Sequence, residues 1–346
     1  MSTVDLQRSE DGPSQSGTTV PSDSAGLLRL FGQMLRIRRA EERVLELLLE
    51  NRLSSTMCHV SIGQEAVAVG VCDALGPDDY VSSTHRGHGH YLARGGPLVG
   101  LIAELMGREA GACRGRGGSM HLVDAAHGHL GSNAIVGGHI PIATGAALWA
   151  AVSGQPSVSV VFFGDGASTE GIFHECVNFA AVQSLPVVFV LENNQFAMSL
   201  PWSRSTIEPS IAVKASAYGI AGVDVDGQDV MAVRAAAGVA VERARRGDGP
   251  TLLGAATYRF LGHSRADPSA YRDKIEEERW KQRDPVVLAR RALAVAGAAD
   301  EAELEALETA IARELDAAVA EAEASPPATV DEAIAGMYAT PIGGMR

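Results

Sequence analysis

The most sharply patterned stretch of the chain is 158–197, where two short apolar runs flank a segment compatible with a helix. The first run (Val158, Val160, Val161, Phe162, Phe163) breaks at Gly164-Asp165-Gly166, and the second (Val187, Val188, Phe189, Val190, Leu191) at Glu192-Asn193-Asn194. Strand, crossover helix, strand in a compact domain means two parallel strands with both carboxyl ends on one edge of a sheet. Neighbouring strands lie roughly 5 Å apart, so Asp165 and Asn194 can converge on one small object.

The pattern continues on both sides. Leu28, Phe31, Leu35, Val44, Leu45, Leu48 and Leu49 recur at helical spacing among charged residues, which predicts a long amphipathic helix over 27–53. Small apolar residues predict a helix within 59–75, with Ser61 and Gln64 placed as a capping box and a stop near Gly76-Pro77. A short strand is expected at 79–83, a polar loop at 84–90, a helix near 97–107, a glycine-rich segment at 111–121 and an irregular stretch at 127–138. An alanine-rich helix follows Pro141. After Asn194 the spacing predicts helices at 211–218 and 229–245, strands at 222–225 and 251–258, and charged helices from 272 to about 323. The fold class is α/β, a mostly parallel sheet flanked by helices. Residues 25–290 read as one domain, 291–346 as a helical C-terminal extension, and the Ser-, Asp- and Pro-rich 1–24 as a disordered tail.

Composition narrows the function classes. The 346 residues are 46% apolar, enough for a sizeable core, and the net charge of -13 disfavours nucleic acid because no basic patch stands against it. The four cysteines have no framework spacing, which fits reduced thiols. No apolar run reaches the roughly 18 to 20 residues that span a bilayer, and no signal peptide is visible, so no membrane role and a cytoplasmic location are expected.

The chemistry concentrates at the two strand ends. Asp165 and Asn194 beside a helix N-terminus suit magnesium carrying a phosphate, since magnesium prefers oxygen ligands. A ligand-free turn and a dinucleotide-binding turn, with Glu192 as the ribose-binding acid, are the alternatives. The glycines, at 164, 166 and 171, do not follow GxGxxG, and they flank an acid that would repel a pyrophosphate unless a cation intervened. Among the histidines, His263 ends a strand, where ligands of α/β sheets collect, whereas His59 also reads as a packing residue. His85, His88 and His90 lie on one loop and raise zinc as an alternative, with no obvious fourth ligand. The loop carrying Arg114 and Arg116 reads equally as a flexible connector or as an anion-facing loop.

GDG, 26 residues and NN resembles the thiamine diphosphate signature. Its surroundings are similar to the alpha subunit of the two-chain 2-oxo acid dehydrogenase first component: His59 with Ile62-Gly63-Gln64-Glu65-Ala66, the 85–89 loop, 117–121, 135–137, 258–264 and Asp267-Pro268. That family includes pyruvate, branched-chain 2-oxo acid and acetoin dehydrogenase alpha subunits. The resemblance implies a thiamine diphosphate-binding fold, with Asp165, Asn194 and the backbone carbonyl of Phe196 as ligands of Mg2+. Gly166 and Ala167 would lie against the diphosphate at the helix N-terminus, Arg86 would contact it, and His85 would stand beside Arg86 in the cofactor site. Val136 would meet the aminopyrimidine, with Ala134 replacing a usual glycine nearby. His263 would serve near the reacting centre as a positively disposed catalytic group, and His59 near the substrate.

The family's reaction decarboxylates a 2-oxo acid on the cofactor and passes the acyl group to a lipoyl-bearing acyltransferase. The glutamate that meets the aminopyrimidine lies on a separate beta chain in this family, which implies a beta subunit partner and an α2β2 assembly. Pyruvate or a related 2-oxo acid is the expected substrate. His85, where pyruvate enzymes commonly carry Tyr, points to acetoin dehydrogenase as an alternative. A non-catalytic scaffold for a beta chain is an alternative of another class, and a nicotinamide-dependent oxidoreductase is weakened by the glycine spacing.

Overall fold

A computed structural model describes residues 23–55, 57–336 and 338. The tail expected over 1–24 lies outside the described residues except for its last two, which belong to a helix start: Asp23 accepts from the Gly26 amide at 2.8 Å and caps α1 (Ser24–Leu49).

Residues 59–64 form a loop, and the next helix, α2 (Glu65–Asp73), begins only at Glu65. The expected capping box is absent, because the Ser61 amide and hydroxyl both donate to Glu41 of α1, at 2.7 and 3.0 Å. β1 (Tyr80–Thr84) leads to α3 (His88–Ala93), so the last three residues of the expected polar loop are helical and buried. After α4 (Leu98–Leu105), the stretch read as irregular contains an edge strand, β2 (His129–Asn133). Then come α5 (Ile140–Ser153), β3 (Ser159–Gly164), α6 (Gly171–Val182) and β4 (Val187–Asn193). A small hairpin of β5 (Phe196–Ala197) and β6 (Leu200–Pro201) precedes α7 (Trp202–Ser205), α8 (Ile211–Ser216), β7 (Ala221–Asp226), α9 (Val230–Arg245) and β8 (Thr251–Ala256). The charged C-terminal part is α10 (Lys274–Lys281), α11 (Pro285–Ala296), α12 (Glu301–Ala324) and α13 (Val330–Ala335).

Six strands form one sheet in the order β2-β1-β3-β4-β8-β7, and every pair in it is parallel. The pair inferred from 158–197 is at its centre, in unbroken register from Ser159 opposite Val187 to Gly164 opposite Glu192. Side chains alternate between faces along a strand, and both faces of these strands are covered. Val160, Phe162, Val188 and Val190 pack on α2 and α9 through Val67, Val71, Val233 and Ala237. Val161, Phe163, Phe189 and Leu191 pack on α5 and α6 through Ile140, Ala143, Phe173 and Val177. That explains why the runs are continuously apolar.

An outer helical layer completes the core. Leu30, Phe31 and Met34 of α1 share one cluster with Leu101 of α4, Leu293 of α11 and Ile311 and Leu315 of α12. Each such burial contributes roughly 1.5–3 kcal/mol, which seats α11 and α12 on α1 despite their charged outer faces. No helix among the described residues is long and apolar enough to cross a membrane.

Candidate active site

The oxygens placed at the two central strand ends are buried and lack hydrogen-bond partners. Asp165, the first residue past β3, is 2% exposed with Oδ2 unpartnered, and Asn194, just past β4, is 7% exposed with Oδ1 unpartnered. Isolated buried oxygens are costly. Two of them at neighbouring strand ends fit a hard divalent cation, which takes oxygen ligands. Asn194 Nδ2 donates to Gln64 Oε1 at 3.1 Å, so the amide nitrogen is already engaged.

The hairpin of β5 and β6 crosses beside Asp165. A Cβ on Gly166 would stand 3.1 Å from that of Ala197, so glycine lets the two segments approach. Gln195 and Met198 both take positive φ, bending the chain on either side of Phe196. The Phe196 ring turns into the core against Tyr258 and Tyr271, with the Arg272 guanidinium 5.3 Å from its centroid. At Gly166 and Ala167 the expected α-helix start is instead a 3-10 turn over 167–169, and α6 begins at Gly171.

Three histidine rings meet nearby. The centroids of His59 and His85 lie 4.8 Å apart, those of His59 and His263 5.1 Å, and those of His85 and His263 5.5 Å. Arg86 is buried and donates to the Val60 carbonyl at 2.6 Å and the His263 carbonyl at 2.9 Å, tying together the two segments that carry His59 and His263. Burial first, and the Arg86 guanidinium second, pull His59 down to about 3, His85 to about 2 and His263 to about 4. His263 is therefore neutral at pH 7, a hydrogen-bonding and proton-accepting group rather than the positively disposed one expected. Val136 is half exposed beside Ile135 in the turn between β2 and α5.

The alternatives weighed from the sequence now separate. His85, His88 and His90 do not converge on a zinc ion. His88 Nε2 shares a hydrogen bond with Ser119 Oγ at 2.9 Å, and His90 is held between Ser83 Oγ at 2.7 Å and Glu192 Oε1 at 3.1 Å. The trio that does converge, His59, His85 and His263, has ring nitrogens within 4.8 Å of one another. Arg86 and Arg259 bias that place toward anions rather than a dication. Glu192, the ribose acid of the dinucleotide alternative, is buried with Oε1 engaged by His90.

The glycine-rich loop is not a flexible connector. It wraps an internal anion: the buried carboxylate of Glu104 accepts from the amides of Cys113 (2.7 Å), Gly115 (2.8 Å), Gly117 (2.6 Å) and Gly118 (3.0 Å). The wrap is too close for side chains. A Cβ on Gly115 would come within 2.5 Å of the Gly107 carbonyl carbon, and one on Gly117 within 2.5 Å of the His121 oxygen.

Two site residues escaped the sequence reading. Arg259 is buried, donates to the Met198 carbonyl at 3.1 Å and to Tyr271 at 3.2 Å, and has Nη1 3.5 Å from His263 Nδ1. A lone arginine between Tyr258 and Phe260 was its available signal. Gln64 is the other, misassigned to a cap.

A family profile described as "Dehydrogenase E1 component" matches residues 32–331. The pyruvate dehydrogenase E1 component subunit alpha of Porphyra purpurea is 42% identical over 313 residues, covering 88% of this chain and 91% of the relative. The acetoin:2,6-dichlorophenolindophenol oxidoreductase alpha subunits of Bacillus subtilis and Cupriavidus necator are 47% and 39% identical, over 75% and 94% of this chain and 78% and 98% of theirs. The resemblance drawn from the motifs is thus borne out: the chain belongs to the dehydrogenase E1 component family, as an alpha subunit of the thiamine diphosphate-dependent 2-oxo acid dehydrogenase kind.

Proposed function

We propose that this alpha subunit binds the diphosphate end of thiamine diphosphate through Mg2+, and that with a beta subunit it decarboxylates pyruvate or a related 2-oxo acid and passes the acyl group to a lipoyl-bearing acyltransferase. The observation that carries the reading is the pair of buried, unpartnered oxygens of Asp165 and Asn194 at the ends of adjacent strands. The Phe196 carbonyl is the third ligand from this chain. Bound there, the cofactor would supply a nucleophilic carbon and an electron sink for decarboxylation.

The chain's own residues then have separate tasks. Gly166 and Ala167 present backbone to the diphosphate without a crowding side chain. Arg86 and Arg259 supply positive charge, and Arg86 fixes the spacing of His59 and His263 through the two carbonyls it holds. His263, His59 and His85 are neutral donors and acceptors suited to a carboxylate or a developing alkoxide. Val136 and Ile135 offer an apolar rim to the aminopyrimidine. Ile142, Trp149 and Val152 leave one side of α5 apolar and 47–80% exposed, in keeping with coverage by a beta chain in an α2β2 assembly. A cytoplasmic setting suits this reading.

Acetoin cleavage is the second reading, favoured by His85 and by the alpha subunits of acetoin enzymes among the relatives. A scaffold without turnover has no use for two costly unpartnered buried oxygens. Carbon dioxide release from pyruvate and from branched-chain 2-oxo acids, measured beside acetoin cleavage by the purified alpha and beta chains, decides the substrate. His263→Ala should leave assembly intact and lower kcat by roughly 100-fold, within the range of general acid-base effects; unchanged turnover would reduce His263 to a structural residue.

Burial, opposed by Arg259 and the Gly166 amide, raises Asp165 to about 6. Only the ionised carboxylate coordinates magnesium, so protons compete with the metal below that value. Calorimetric titration of magnesium with thiamine diphosphate should therefore show affinity falling about tenfold for each pH unit below about 6, and affinity flat down to pH 5 would contradict the assignment.

A further inference from the structure

A metal site that uses a side-chain amide has a problem that a carboxylate does not. The two ends of an asparagine amide have nearly the same shape and opposite chemistry, and only the oxygen can bind a cation. If Asn194 turned over, it would aim two N–H groups at the metal.

We propose that Gln64 is a positioning residue for Asn194: by accepting from Asn194 Nδ2 at 3.1 Å it holds the amide with Oδ1 toward the metal. The inference rests on the metal-diphosphate reading of the site. Gln64 is 1% exposed, so water does not substitute for it as the acceptor, and its own Nε2 has no partner, which makes the acceptor-only Gln64→Glu the variant that fixes the sense of the contact.

The surrounding loop is fixed to an unusual degree for six residues without regular structure. The Ser61 amide is held by Glu41 at 2.7 Å and the Gly63 amide by Glu65 at 3.0 Å, while Glu65 in turn accepts from Arg38 at 2.5 Å. Across the sheet edge, the Phe260 amide donates to the Ile62 carbonyl at 3.1 Å and Thr257 Oγ1 to the Gly63 carbonyl at 3.2 Å. Gly63, with φ of 99°, lies so close to the chain after β8 that a Cβ would come within 2.5 Å of the Tyr258 oxygen. Arg38 and Glu41 belong to α1, so the N-terminal helix fixes, through this loop, the backbone that delivers Gln64 to a ligand on the central sheet. This gives the buried carboxylates of Glu41 and Glu65 a purpose that neither motif nor composition discloses. A partner that orients a metal ligand is typically worth about 10- to 100-fold in metal affinity.

A double-substitution cycle isolates the effect. An aspartate at position 194 has two equivalent oxygens and needs no orientation. In the enzyme assembled with its beta chain, magnesium chloride titrated calorimetrically in the presence of thiamine diphosphate should bind about 10- to 100-fold more weakly to Gln64→Leu than to the unsubstituted enzyme. In an Asn194→Asp background the same Gln64→Leu change should alter affinity by less than about threefold. Gln64→Glu, which can only accept from Nδ2, should retain affinity within that margin. Thermal melting without ligand identifies any variant that fails to fold. Equal losses in both backgrounds, or no loss from Gln64→Leu alone, would overturn the positioning role. A lack of magnesium-dependent binding in the unsubstituted enzyme would instead bring down the metal-diphosphate reading, and this inference with it.

Discussion

Asp165→Asn should lose magnesium-dependent cofactor binding by more than about 100-fold and yet melt at a higher temperature than the unsubstituted protein when no ligand is present. Both expectations come from one carboxylate. It is 2% exposed and one oxygen has no partner, and its burial, against the pull of Arg259, the Gly166 amide and Arg86, lifts it from 3.8 to about 6. The sign follows from linkage: an acid whose folded value lies above its unfolded value binds protons more readily in the folded state. Folding is therefore progressively disfavoured as pH rises from about 4 to about 6, and the full penalty remains at pH 7.5. Two units correspond to about 3 kcal/mol, so removing the charge should stabilise the ligand-free protein by roughly 1–3 kcal/mol, or about 1–4 °C. Magnesium with thiamine diphosphate should raise the melting temperature of the unsubstituted protein and leave the variant unmoved. A variant that melts lower without ligand, or that still responds to it, would show that Asp165 is not held for the metal.

The second large effect is structural. Glu104→Ala removes an anion around which the loop of residues 113–118 is wrapped and leaves four backbone amides without their acceptor. Hydrogen bonds to a buried charge contribute about 1.5–3 kcal/mol each and their losses do not sum fully. A destabilisation of about 4 kcal/mol, or about 5 °C for a chain of this size, is expected. Arg114 and Arg116 stand on the released loop, so trypsin should cut the variant there well before it cuts the parent. Glu104→Gln, which keeps one acceptor oxygen, should fall between the two. An unchanged melting curve and an unchanged digestion pattern together would sink the interpretation.

How much of this could be read from the sequence depended on whether the signal was local. The parallel pair β3 and β4 was legible because both faces are buried, which leaves an uninterrupted apolar run ending in glycine, acid and amide. β2 was not, because an edge strand spelled His-Leu-Gly-Ser-Asn carries neither a continuous run nor an alternation. α3 looked like a loop since its histidines are polar by type, although they are buried and engaged with Ser119, Ser83 and Glu192. Asp165 and Asn194 were found through topology and their chemical type. Gln64 and Arg259 were passed over because what each does is decided by partners 130 positions away for Gln64 and 61 for Arg259 at Met198. Ser61 and Gln64 have the spacing of a capping box, but the carboxylate of Glu41, delivered by another helix, takes the Ser61 donors and moves the helix start to Glu65.

The register that places Gly164 opposite Glu192 also says what the 26-residue interval between the two motifs measures. After β3 the chain must run back along the sheet before it can rise again as β4. The 12 residues of α6 cover about 18 Å of that return, against about 20 Å of strand. The interval is thus a dimension of the sheet and carries no information about the cation. An insertion in the turn at 183–186 would change the count and leave both ligand oxygens where they are, whereas a single residue added after Gly164 or Glu192 would throw one of them to the wrong face. A chain in which only the turn between α6 and β4 has grown would therefore keep this chemistry intact while losing the 26-residue count.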